Sequence, residues 1–237
     1  MSLLGAIGKE PLRVRAGVAN GSGWGCIVQN RAESWRLPLF QGGKGAVAVH
    51  PSSERWMLFS SESTVQPTER QAHGDVILGA ISPIGSEPLV RLGTSWAFAY
   101  EGSIRNADAL QAALDPAWEA NPTFRTPGDL IFAHVVTYMA GVGALYASGV
   151  ALAHTSRAIW RARGLGAASF LYSDGDCLYA YAVDLPLALA NLPDAIVVGS
   201  PDVIPAGFPS RSIPNGAVVS ISRRPHLGWS TTVFADE

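Results

Sequence analysis

Lysine is nearly absent from this chain: Lys9 and Lys44 are the only two in 237 residues. Schiff-base or P-loop chemistry would have to use one of them, and neither stands in a Gly-rich phosphate-binding motif. Charge is scarce altogether, at 15% of residues with a net of −2, and no stretch concentrates arginine. A nucleic-acid surface therefore has no electrostatic support. Cysteine is limited to Cys26 and Cys177, without Cys-x-x-Cys spacing, which reads as two reduced core thiols of a cytoplasmic protein. The five histidines show no metal-ligand spacing among themselves or with cysteine, so no metal and no cofactor is expected. The opening residues lack the basic start and long apolar run of a signal peptide. Residues 130–153 are long and uncharged enough to raise the question of a membrane span. His134, Thr137 and the Gly-Val-Gly-Ala interruption assign them to buried helices instead, and no membrane partner is expected.

What the chain does have is apolar mass, 48% of residues, broken by 25 glycines and 16 prolines. That suits one domain over residues 1–237 with many turns. Short apolar runs at 3–7, 23–29, 35–39, 45–49, 56–59, 76–81 and 95–100 read as strands between turn signals. The period then lengthens. Asn106 caps a first helix, Pro127-Gly128-Asp129 opens a second, and a third runs from about residue 150 to a stop at Gly164. Strands return at 167–172 and 177–183, joined by the turn Ser173-Asp174-Gly175-Asp176, and at 196–199, 217–221 and 230–234. Strands, then helices, then strands specify a layered α+β architecture.

Four stretches, in order along the chain, carry a resemblance. They are Met1-Ser2-Leu3-Leu4-Gly5, Gly23-Trp24-Gly25, the segment from Trp96 through Glu101-Gly102 to Ile104, and Phe170-Leu171-Tyr172-Ser173-Asp174-Gly175. Together they resemble the small stand-alone class II glutamine amidotransferases of the Ntn-hydrolase superfamily. The resemblance implies a four-layer αββα sandwich, two packed antiparallel sheets flanked by helices.

The resemblance also implies roles for individual positions. Ser2 stands where the family has its N-terminal cysteine, whose own α-amine acts as base once the methionine is removed. A free amine titrates near neutrality, which no internal peptide nitrogen does. Glu101-Gly102 stands where an Asn-Gly pair supplies the oxyanion hole. Losing one such donor typically costs about 10²–10³ in rate, and an ionised Glu101 adds repulsion. Ser82 falls in the stretch where an arginine holds the substrate carboxylate, and residues 78–82 offer no cation. Asp129 is the surviving position for a ligand to the substrate ammonium group, or else a helix N-terminal acid. Trp24 lines the expected substrate side.

With these replacements the expected function is a class II amidotransferase-like protein without glutaminase activity. It would act as a binding, regulatory or assembly subunit, with a protein partner or second copy, or with a small molecule in the remodelled pocket. The alternative is an active amidohydrolase using Ser2 on a non-glutamine amide.

Overall fold

A computed structural model of the chain describes residues 2–19, 23–30, 34–36, 44–51, 57–60, 70–82, 89–92, 96–105, 107–112, 126–141, 166–223 and 225–233. The opening strand β1 (Ser2–Ala19) is its spine. Leu3 and Ile7 point into one buried cluster, while Leu4 and Ala6 point into another. This is the period-2 alternation of a strand covered on both faces, and it explains why the run looks continuously apolar in sequence.

Around β1 the chain builds a nine-stranded antiparallel sheet from β2 (Gly23–Gln29), β3 (Ser34–Arg36), β4 (Lys44–His50), β5 (Met57–Ser60), β6 (Arg70–Ser82), β11 (Ala188–Asn191), β12 (Ala195–Gly199) and β13 (Ser210–Ser212). One long edge of β1 pairs with β6; its other edge pairs first with β12 and then, from Arg13 on, with β2. The switch follows an irregularity between Ile7 and Leu12, where the partner advances only from Val76 to Gly74. Pro11, which has no N–H to give a ladder, lies in that bulge.

A second, six-stranded antiparallel sheet contains β7 (Leu89–Leu92), β8 (Ala97–Gly102), β9 (Ala168–Ser173), β10 (Cys177–Val183), β14 (Ala217–Ser222) and β15 (Gly228–Val233). The inner faces meet through Leu3, Ile7, Leu78 and Val198 on one side and Ala99, Leu171, Leu178 and Ala180 on the other. Gly5 lets them come close: a Cβ there would lie 3.0 Å from Leu178 and 3.2 Å from Leu171. On the outer face of the six-stranded sheet, Phe98, Phe170, Tyr172, Tyr179 and Tyr181 pack under Ile131, Phe132, Val135 and Val136. Those four residues belong to α2 (Pro127–Gly141), which follows the short α1 (Ala107–Ala112). The outer face of the nine-stranded sheet is buried as well, through Leu4, Val14, Val47, Val49 and Val197. The chain thus forms the layered sandwich that the resemblance implies.

Strands β1 and β6 run well past the expected ranges 3–7 and 76–81, and β7, β11 and β13 were not expected at all. The extension of β1 is an ordinary alternation, Leu12, Val14 and Ala16 buried on the outer face of the sheet with Arg13 exposed between, hidden behind Lys9-Glu10-Pro11. The third helix near residue 150, the cap Asn106 and residues 37–39 of the expected third strand lie outside the described residues. No helix among the described residues is long and apolar enough to cross a membrane.

Candidate functional site

The first residue of β1, the end of β8 and the segment after β12 converge at one end of the sandwich. Leu3 N–H donates to Ser200 Oγ at 2.9 Å, and Ser200 N–H donates to Leu3 C=O at 3.0 Å. This reciprocal pair ties the start of β1 to the end of β12. A 3-10 turn follows at Pro201–Val203, and it carries Asp202 up to Ser2. Ser2 Oγ donates to Asp202 Oδ2 at 2.7 Å. Ser2 is only 2% exposed, so its hydroxyl is committed to that carboxylate away from bulk water.

Glu101 lies at the end of β8, opposite Ser169, with Gly102 opposite Ala168. Burial pushes the Glu101 carboxyl above the usual glutamate range, and the Asp202 charge adds to this. The positive amino terminus and hydrogen bonds from it and from Ser200 oppose the rise. Gly102 has φ of +150°, and a Cβ there would lie 2.3 Å from Ala167 C=O. Only glycine fits that close approach. Ser103 N–H then bonds Ala167 C=O at 2.9 Å, holding the strand end in place.

Ser2, Glu101 and Gly102 are therefore brought to one end of the molecule. Ser82 reaches the same end as the last residue of β6, one rung past the Ser2–Ile81 pair. Opposite Ser82 stands Lys44. By strand alternation Lys44 shares the face of Ala46 and Ala48, which line the inter-sheet core. Register thus supplies a cation that residues 78–82 lack. Trp24 sits in β2 opposite Val18, on the far half of β1.

Asp129 is fully buried and engaged with its own helix start. Its Oδ2 accepts from Thr126 N–H at 2.9 Å and from Thr126 Oγ1 at 2.8 Å, and Asp129 N–H donates back to Thr126 Oγ1 at 3.3 Å. This is a capping box, with Pro127 at the first helical position.

Sequence reasoning overlooked Ser200, Asp202 and Lys44. The Gly199-Ser200-Pro201-Asp202 string held a usable signal, a serine and an acid flanking a proline at a strand end. Among the described residues no group of three or more His, Cys, Asp and Glu side chains could hold a metal ion.

No protein-family model and no curated protein matches the chain. Solved structures do. A glutamine aminotransferase class-II domain protein from Silicibacter pomeroyi aligns over 100% of both chains at 13% identity with a TM-score of 0.59. A predicted glutamine amidotransferase from Pseudomonas aeruginosa aligns over 93% of this chain and 96% of its own, at 17% identity and a TM-score of 0.54. The fold is that of the class II glutamine amidotransferases. Glutamine phosphoribosylpyrophosphate amidotransferase from B. subtilis shares it at 15% identity and a TM-score of 0.58, with all of this chain covering 50% of that larger one. Within this fold Ser2 opens β1 and Glu101 lies one residue before the end of β8.

Proposed function

We propose that this chain, over residues 1–237, is an amidotransferase-fold protein that does not hydrolyse glutamine. It works by binding, as a regulatory or assembly subunit, and its pocket takes a small ligand. The observation that carries this reading is Glu101. By the resemblance its carboxylate replaces the amide donor that would stabilise a tetrahedral oxyanion, and the amino terminus, Asp202 and Ser200 all act on it. Two carboxylates there oppose a developing negative charge. They favour a neutral or cationic amine group instead. The protein acts in the cytoplasm, with a protein partner or a second copy of itself. Incubation with glutamine tests the reading: no glutamate or ammonia above the rate of a Ser2→Ala control supports it, and release that disappears in Ser2→Ala overturns it.

One observation favours a second reading, an amidohydrolase with Ser2 as nucleophile. The 2.7 Å bond from Ser2 Oγ to Asp202 already aims the hydroxyl proton at a carboxylate. In the N-terminal-nucleophile route the Ser2 α-amine is the base and Asp202 only orients the hydroxyl, so intact-protein mass tests it: a purified chain that retains Met1 excludes that route.

A further inference from the structure

Strands β10 and β14 run side by side, with Tyr181 opposite Val218. Just past the end of that ladder, Asp184 and Asn215 are joined in both directions. Asp184 N–H donates to Asn215 Oδ1 at 2.8 Å, and Asn215 Nδ2 donates back to Asp184 Oδ1 at 3.2 Å. The other carboxylate oxygen, Asp184 Oδ2, accepts from Arg105 at 3.1 Å. Asp184 has φ of +58°, a left-handed conformation that a short polar side chain tolerates when it bonds locally. These partners also fix which way the Asn215 amide points, since a backbone N–H calls for its oxygen and a carboxylate for its nitrogen.

Gly216 follows Asn215, and an asparagine before glycine is chemically labile. Once the Gly216 backbone nitrogen has lost its proton, it attacks the Asn215 side-chain carbon Cγ. Ammonia leaves, a five-membered succinimide forms, and water opens the ring to aspartate or isoaspartate. Glycine has no Cβ to hinder the attack. Asn215 is exposed, in a turn closed by Ala217 N–H on Pro214 C=O at 3.0 Å, so burial does not shield it. Bonding does. Gly216 N–H donates to Ala182 C=O at 2.7 Å, which retains the proton of the attacking nitrogen, and the Asp184 pair holds both polar atoms of the side-chain amide.

We infer that Asn215 is a modification site latched by the fold, a deamidation site held shut by its bonds to Asp184 and by the Gly216–Ala182 bond, and converted once they part. Conversion also keeps the latch from closing again. The aspartate product sets a carboxylate where Asn215 Nδ2 donated, against Asp184 Oδ1, and two negative charges so placed repel. The latch lies at the Glu101 end of the six-stranded sheet, where Gly102 and Val183 both pair with Ala168. Its loss frees Arg105, in the segment that leaves β8 directly after Glu101-Gly102.

The test incubates the whole chain at mildly alkaline pH and follows conversion by peptide mapping, which separates Asn215 from the chain's other Asn-Gly pair, Asn20-Gly21. The folded parent should convert at Asn215 roughly tenfold or more slowly than the same chain in urea. Asp184→Gly keeps the left-handed backbone and its N–H and removes only the carboxylate. Its Asn215 should convert about threefold or more faster than that of the folded parent. Equal rates in the folded and unfolded parent, or a rate in Asp184→Gly equal to the parent's, overturn the latch. If Asp184→Gly loses its near-UV dichroism, Asn215→Asp carries the test. A melting midpoint about 2–4 °C below the parent's, recovered when Asp184→Asn is added, then supports the latch, and an unchanged midpoint refutes it.

Discussion

The hydroxyl of Ser2 and the carboxylate of Asp202 are joined by a 2.7 Å hydrogen bond although 200 positions separate them in the chain. Beside it, Ser200 exchanges two bonds with the Leu3 backbone, so the Ser200–Asp202 segment grips β1 at two successive residues. The grip is structural as well as chemical. Ser2→Ala and Asp202→Ala should each cost about 1 kcal/mol, with the double variant costing little more than the larger single one. Denaturant melts of the four chains measure this coupling, and full additivity would mean that the bond contributes nothing.

Gly199 stands immediately before that grip. A Cβ there would lie 2.2 Å from Leu3 C=O and 2.7 Å from Val203 Cγ2. Because the nearest atom is backbone, it cannot swing aside. Gly199→Ala is expected to destabilise the chain by roughly 1–3 kcal/mol and to pull Ser200 away from Leu3. Amide exchange at Leu3 reads the second effect: faster exchange there than elsewhere in β1 is the expected pattern.

Glu101 gives a pH signature with a definite sign. Its carboxyl is raised from 4.5, chiefly by burial. The folded state therefore favours the protonated form, and that contribution is present at low pH and lost as pH rises through the raised value. Glu101→Gln, neutral at every pH, should be at least as stable as the parent at pH 7. A cationic ligand bound through the ionised carboxylate should bind less well on acidification, and Glu101→Gln should abolish that step. Calorimetric titration with a primary amine at several pH values checks both; a lower melting temperature for Glu101→Gln at pH 7 would contradict the first.

His50 runs the other way. Burial lowers its pKa from 6.5, with Asp75 and Asp176 partly opposing and Arg223 assisting. The unfolded chain takes up the proton first, so stability should decline as pH falls from about 7 through 6.5 towards the lower folded value. His50→Gln should flatten the melting temperature across that window. A profile of the same slope in both chains would assign the pH dependence to another group.

Much of this architecture was legible because local chemistry and burial agree. The turn Ser173-Asp174-Gly175-Asp176 announces a hairpin, and its side chains make the bonds that close it. The bounds of β2 and β4 matched the apolar runs at 23–29 and 45–49 closely. What escaped was set by register. Nothing near Ser82 in sequence shows that Lys44 will face it across a ladder, or that a 3-10 turn will deliver Asp202 to Ser2. The strand β13 escaped for a simpler reason: Ser210, Arg211 and Ser212 are all exposed at a sheet edge and carry no apolar pattern. Long-range pairing decides a site of this kind, and composition in a short window cannot encode it.

Asp129 tests how far a position in a pocket can be read as a ligand. Its carboxylate accepts two hydrogen bonds from Thr126 and completes the start of α2. As a capping residue, Asp129→Ala should cost about 1–2 kcal/mol. Asp129→Asn keeps an oxygen acceptor at the same place and should cost less than half as much. Thr126→Ala removes the hydroxyl from the same box, so its effect should be strongly non-additive with Asp129→Ala. A ligand for an ammonium group behaves differently: there, Asp129→Asn would leave the melting temperature nearly intact while weakening amine binding tenfold or more through loss of the charge. Melting curves and amine titrations on the same three variants separate the roles. With the carboxylate already turned back onto Thr126, the expected outcome is a stability loss in Asp129→Ala and unaltered amine affinity in Asp129→Asn.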